Sequence, residues 1–190
     1  MNIENDEKIL VEKILLGNKR AFKILVNKYE GLVRHITFPI IKNKDDCADV
    51  CQEVFLKIYT KLNSFEFRSK LSTWIGNITY NTCINYLQKK KGILIDDYLN
   101  NEEYGNFEMN RFQIKDELTP DDILINKEVL QDLDNAINSL SPIQKNVIML
   151  FHQDDFSLQE ISQILELPIN TIKSHLYRAR MKLKEILANQ

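Results

Sequence analysis

The apolar residues of positions 1–91 fall at helical spacing, and the polar residues mark where each helix should stop. "DEKILVEKILL" is followed by Gly17, a helix stop. "KRAFKILVNKYEGLVRHITF" continues as helix until Pro39, which should kink or end it. "DDCADVCQEVFLKIYTKL" opens with Asp45 and Asp46, acids that favour a helix N-terminus. "KLSTWIGNITYNTCINYLQKKK", Lys70 to Lys91, reads as the next helix, with Ser69 as its cap. Beyond Lys91 the periodicity is lost. It resumes near Thr119, a cap followed by Pro120 at the first helical position. Two capping boxes follow, Ser141 with Gln144 and Ser157 with Glu160. After the short turn "LPIN" comes a final helix, "TIKSHLYRARMKLKEIL". The expected fold is all-α. Two small helical domains, 1–91 and 120–190, are joined by an acidic flexible linker at 92–119.

Composition narrows the class. The chain has 190 residues with a formal charge of −2, and 44% of its residues are hydrophobic, as in a soluble globular protein. Only five Gly and four Pro argue against a turn-rich β architecture. The N-terminus is acidic and lacks a signal peptide's basic start and apolar middle, and no run suits a membrane span, so a cytoplasmic protein is expected. The charge is unevenly placed. Residues 93–132 hold eleven Asp or Glu against Arg111, Lys115 and Lys127, whereas Lys70–Lys91 hold no acid. Cys47 and Cys51 share a helical face with Val54, Ile58 and Leu62, which makes buried apolar cysteines a better reading than a metal site. His35, His152 and His175 lie far apart. Neither a nucleophile–base spacing nor a phosphate-binding Gly loop is present, so no catalytic residue, metal or cofactor is expected.

Three surfaces carry the functional reading. The last two helices have the spacing of a helix-turn-helix, with Ile161, Leu165, Leu167 and Ile172 as shared core. On the final helix Ile172, Leu176, Ala179 and Leu183 face inward. The opposite side shows Lys173, Ser174, Tyr177, Arg178 and Lys184, with Thr171 and His175 at the edges. Arg can pair with guanine edges, and Ser and Thr with bases or phosphate, so this helix suits a major groove. Glu166 stands where such motifs usually carry Gly. On the acid-free helix, Leu71, Ile75, Ile78, Thr82 and Tyr86 point to a core, beside a band of Trp74, Asn77, Asn81, Asn85 and Gln88. That band donates and accepts hydrogen bonds without charge, which suits unstacked bases, and Trp74 can stack on a base or simply pack in the core. Arg68, Lys70 and Lys89–Lys91 would meet phosphates. The third surface is acidic: Asp45, Asp49, Gln52 and Glu53 surround an outward Leu56 and suit either a protein partner or plain solvent.

In this order the pieces resemble the sigma factors of bacterial RNA polymerase, and among them the small extracytoplasmic-function type. The resemblance rests on "AFKILVNKYEGLV", "DDCADVCQEVFLKIY", "FRSKLSTWIGNITYNTCINYLQKKK" and "AINSLSPIQKNVIMLFHQDDFSLQEISQILELPINTIKSHLYRARMKLKEIL". It implies a region 2 domain, a linker and a region 4 domain. It further implies that Asp49, Gln52, Glu53, Phe55 and Leu56 bind the clamp coiled coil of the polymerase's largest subunit, with Phe55 packed beneath the patch. For melting and reading the minus-ten element it implies Phe65, Arg68, Ser69, Lys70, Trp74, Asn77, Asn81, Asn85, Lys89 and Lys90. For the minus-thirty-five element it implies Thr171, Lys173, Ser174, His175, Tyr177 and Arg178. Tyr80 and Gln88 stand where many members are basic, and Asn85 where many have Asp, so base preference at the minus-ten element does not transfer. The implied partners are core RNA polymerase and promoter DNA. Many members are also held by an anti-sigma factor, though no segment here identifies one. The rival readings are a conventional helix-turn-helix regulator, which leaves the first domain unused, and a DNA-processing enzyme, for which no chemistry is present.

Overall fold

The computed structural model describes residues 3–91, 133 and 135–188. The expected linker at 92–119 and the Thr119–Pro120 helix start lie outside the described residues. Every described element is helical: α1 (Ile3–Leu15), α2 (Lys19–Ile40), α3 (Lys44–Lys61), a 3-10 turn at Leu62–Ser64, and α4 (Leu71–Lys91). Residues 135–138 are also helical. α5 (Pro142–His152), α6 (Leu158–Leu165) and α7 (Ile169–Ala188) follow.

The helix ends follow from local chemistry. Gly17 adopts φ +84°, and its N–H and that of Asn18 donate to the Ile14 and Lys13 carbonyls at 2.8 and 3.1 Å, closing α1 in a reversal that suits glycine. Asn18 then caps α2, its Oδ1 accepting from the Arg20 and Ala21 N–H groups. Asn43 caps α3 in the same way, ahead of Asp45 and Asp46. Pro39 lies in the last turn of α2, which ends at Ile40. Both expected capping boxes form, at Ser141–Gln144 and Ser157–Glu160. Ser69 does not cap α4. Its hydroxyl donates to the Lys70 carbonyl at 3.4 Å, and that same carbonyl accepts from the Trp74 N–H, so Lys70 is the residue at the helix start.

α2, α3 and α4 pack around Leu25, Val33, Ile36, Val54, Ile58 and Ile75, all fully buried, with α1 laid against α2. Cys47 and Cys83 are buried in this core and Cys51 half-buried, and all three thiols are free. Burial pushes the Cys47 and Cys83 thiols up to about 12, so they remain neutral. The C-terminal helices do not stand apart from this group. α5 lies along α2, and α6 lies along α4. Gly76 permits the second contact: a Cβ there would stand 3.0 Å from Ile164 Cδ1 and Cγ1. His35 of α2 meets Asp154, just after α5, with Nδ1 2.9 Å from a carboxylate oxygen.

α5 also buries Lys145 and Asn146. Lys145 donates to Asn138 at 3.4 Å. Burial, reinforced by repulsion from Lys42, lowers its ammonium to about 8. An unfolded lysine titrates near ~10.4, so the charged form opposes folding in full below pH 8, and the opposition fades as pH rises from there towards ~10.4. Lys145→Met keeps the unbranched shape without the charge. Urea denaturation should show it more stable than the wild type at pH 7, by ~1 kcal/mol or more. The gap should narrow between pH 8 and 10, and a gap that stays constant would count against the buried charge.

Candidate nucleic-acid and protein interfaces

α6, the turn and α7 form the expected helix-turn-helix. Ile161, Leu165 and Ile172 are buried and Leu167 packs against them. The Ser162 hydroxyl donates to the Leu167 carbonyl at 2.5 Å, and the Pro168 carbonyl accepts from the Thr171 and Ile172 N–H groups. On α7, Leu176 and Ala179 are buried and Leu183 half-buried, while Lys173, Ser174, Tyr177 and Arg178 are exposed. Thr171 and His175 sit at the edge of that face. Burial, and then Arg178, hold His175 below the ordinary histidine range, which favours the neutral imidazole.

Glu166 closes α6 at φ 53° and ψ 36°, in the left-handed region. A non-glycine residue there costs ~1 kcal/mol. Its carboxylate has partners that offset this. Oε1 accepts from Asn81 Nδ2 at 2.8 Å and from Asn77 Nδ2 at 3.0 Å, both on α4. These two hydrogen bonds hold Glu166 below the usual carboxylate range against the opposing effect of burial. Asn77 also donates to the Gln163 carbonyl at 3.1 Å.

α4 is therefore buried on two sides. Leu71, Ile75, Ile78 and Thr82 face the first core as expected, and Tyr86 is half-buried. Gly76 and Tyr80 are buried as well, and burial, with Glu166 nearby, pushes the Tyr80 phenol up to about 12. Asn77 and Asn81 lie half-buried under α6, whereas Asn85, Gln88 and Lys89 are exposed. Trp74 is half-buried and packs against the core, its ring 5.2 Å from that of Phe65. Phe65 is buried and lies 4.6 Å from Phe67, so three aromatic rings run in series. The basic residues are engaged: Arg68 with Glu66 at 2.7 Å, Lys70 with Glu160 at 2.9 Å, and Lys90 with Asp46 at 2.6 Å. Burial alone would raise Glu160, but hydrogen bonds from Lys70 and Ser157 bring it below the usual range.

Phe67 was absent from the sequence-derived site. It is 43% exposed and adopts φ 56°, an uncommon conformation for an aromatic residue. Its sequence signals are its place two residues after Phe65 and at the head of the stretch "FRSKLSTWIGNITYNTCINYLQKKK".

On α3, Asp49, Gln52 and Glu53 are exposed, Leu56 is 66% exposed, and Phe55 is half-buried against the core. Glu53 pairs with Lys57 at 2.6 Å, one turn on. A groove between α2 and α3 adjoins the patch, lined by Arg34, Phe38, Ala48, Cys51, Gln52 and Phe55.

The described residues thus present a helix-turn-helix with a basic outer face, an acid-free aromatic helix and an acidic patch around an exposed leucine, the arrangement of a DNA-binding protein. Two family models match these parts: sigma-70 region 2 over residues 25–93, and sigma-70 region 4 over residues 130–183. The chain is 31% identical over 180 residues to the ECF RNA polymerase sigma-E factor of Escherichia coli (strain K12), covering 95% of this chain and 93% of that protein. It is 28% identical over 179 residues to the ECF RNA polymerase sigma factor SigW of Bacillus subtilis (strain 168), covering 93% and 94%. The sigma factor RpoE of Bartonella quintana, solved in complex with the anti-sigma factor NepR, superimposes with a TM-score of 0.59 at 25% identity, over 88% of this chain and 96% of that one. The chain belongs to the extracytoplasmic-function sigma factors of bacterial RNA polymerase. It is a subunit for promoter recognition and transcription initiation.

The aromatic series generates a prediction. Phe65→Ala should destabilise the protein by ~3–5 kcal/mol, as for a buried aromatic residue truncated to alanine. Trp74 is the sole tryptophan, so its fluorescence reports the site directly. Its emission should shift to the red in the folded variant, and an unchanged spectrum would mean that Phe65 does not shield the indole.

Proposed function

We propose that the chain divides its labour among the three surfaces, with a region 2 domain at 1–91, a linker at 92–119 and a region 4 domain at 120–190. Asp49, Gln52, Glu53 and Leu56 contact the clamp coiled coil of the polymerase's largest subunit, and Phe55 supports them from beneath. Arg68, Ser69, Lys70, Trp74, Asn77, Asn81, Asn85, Lys89 and Lys90 meet the opened minus-ten element, with Phe65 and Phe67 continuing the aromatic surface from Trp74. Thr171, Lys173, Ser174, His175, Tyr177 and Arg178 read the minus-thirty-five element in the major groove.

The observation that carries this reading is the placement of unlike chemistries on separate helices. A basic recognition face, an amide-rich helix without acids and an acidic leucine patch occupy α7, α4 and α3. Such a chain has no chemistry of its own to perform. It is a dissociable specificity subunit working in the cytoplasm, where its polymerase is. Among the described residues no helix is long and apolar enough to cross a membrane. An anti-sigma factor is a further partner, on the pattern of the Bartonella quintana relative.

The decisive experiment is transcription with purified core RNA polymerase on genomic fragments, with and without this chain. Discrete start sites that need the chain establish the promoter elements by alignment. Duplex binding by the chain alone, without core binding, would favour a conventional regulator instead.

Two substitutions resolve the surfaces. Gln52→Lys with Glu53→Lys should abolish core binding and leave the circular dichroism spectrum unchanged; unaltered binding would remove the α3 patch from the interface. Arg178→Ala should weaken promoters through their upstream element, by ~1–3 kcal/mol if the guanidinium reads a base. An equal loss on every sequence would make Arg178 a phosphate contact.

A further inference from the structure

Single exposed apolar residues are ordinary on a protein surface, whereas a group of them marks a contact. Of the eleven exposed large hydrophobic residues among those described, Ile9, Leu15, Leu16 and Ile24 all come from α1 or the first two turns of α2. Leu16, at 87%, is the most exposed of them all. Ile9 and Ile24 line one groove between the two helices, with Leu10 and Ala21 beneath them. Leu15 and Leu16 stand just before the reversal at Gly17, and Asn18, just after it, lines the groove too. The groove is preformed. Val11 and Ile14 bury α1 against the core, and Glu7 accepts from Lys28 Nζ and from the Tyr29 hydroxyl, each at 2.6 Å. Its rim is basic. Residues 13–24 hold Lys13, Lys19, Arg20 and Lys23 and no acid. Lys13 and Arg20 line the groove, both are exposed, and neither takes part in an ion pair among the described residues.

We propose that the α1–α2 groove is a docking site for a partner protein that presents an amphipathic helix with an acidic flank. A groove between two packed helices accepts the side-chain ridge of a third. Apolar residues of the partner at i and i+3 or i+4 meet Ile9, Ala21 and Ile24, while its carboxylates meet Lys13 and Arg20. Asp6 also lines the groove, two turns of α1 before Lys13, and calls for a donor at that end. The charges therefore orient the incoming helix. An anionic lipid surface fits less well. It would meet Leu16 but not reach Ala21, which is 3% exposed, and Asp6 would repel it. Nucleic acid fits worse, because its phosphates gain nothing from an apolar floor. None of the lining residues belongs to the α3 patch, the α4 face or the outer face of α7. The partner thus binds while those three surfaces remain open, as a companion of the polymerase complex rather than a competitor for it.

The test is a selection of displayed helical peptides with randomised outer positions against the full chain. Enriched helices should carry Leu or Ile at i, i+3, i+4 and i+7, with Asp or Glu alongside. Their affinity should fall about tenfold in Ile24→Glu, which puts a carboxylate beside the floor, and in Arg20→Glu, which reverses the rim charge. Both residues are exposed, and an acid in the first turn of α2 suits a helix N-terminus, so folding is not at risk. One selected peptide, labelled, should co-migrate with the complex of the chain and core RNA polymerase. No enrichment, enrichment of basic helices, or equal binding to the wild type and both variants would overturn the proposal. So would displacement of the peptide by core polymerase. Capture of the chain by phosphatidylglycerol vesicles, lost in Ile24→Glu and with no peptide enriched, would make the groove a lipid contact instead. If the chain forms no complex with core, the reading of α3 fails while the selection still decides what the groove binds.

Discussion

The approach of α6 to α4 at Gly76 governs the arrangement of the molecule. Ile164 fills the space that a Cβ at Gly76 would claim, so α6 can seat against α4 there. Once the axes are close, the amides of Asn77 and Asn81 come within reach of Glu166, and Lys70 within reach of Glu160. α5 then follows along α2 and brings Asp154 to His35. One small residue thus sets the position of an entire DNA-reading unit relative to the helix it covers.

The contact mixes terms of opposite sign. Ile164 and Gly76 supply apolar packing, which stabilises in proportion to the area removed from water. Against this, Lys145 is held as a buried amine near its titration point, and Glu166 carries backbone strain. A surface built to remain shut would replace Lys145 with an apolar residue of the same shape, because a buried charge is a cost that packing must overcome.

Much of the fold was legible because its signals are local. The capping boxes at Ser141 and Ser157 lie within four residues, and the period of α7 predicts its buried and exposed faces from Ile172 to Leu183. Asn18 and Asn43 carry an equally local signal, an amide just before an apolar run, but each stands beside a more conspicuous marker of the same boundary, Gly17 and the acids Asp45 and Asp46. Ser69 erred the other way: a good capping residue stands one place too early, so its hydroxyl faces the Lys70 carbonyl. The second buried face of α4 was not legible. Its partner lies some 85 residues away, at Glu166, and no helical wheel contains that information. Glu166 was visible as a residue out of place, yet what compensates it is a contact across the fold. Phe67 was obscured for a related reason, since its exposure and positive φ are properties of the loop rather than of its residue type.

The charge distribution gives the same logic at larger scale. With a formal charge of −2, the chain as a whole offers duplex DNA little phosphate neutralisation, so the basic face of α7 acts as a local feature rather than as part of a general polyelectrolyte surface. The acids are concentrated elsewhere: in residues 93–132, on the α3 patch, and at Glu160 and Glu166 facing α4. The last two have a distinct consequence. Acidic residues on α4 itself would repel DNA, whereas these carboxylates are already engaged by α4's own donors. With α4 free of acid, the carboxylates sit on the facing helix and its cap, where Glu160 pairs with Lys70 and Glu166 accepts from Asn77 and Asn81.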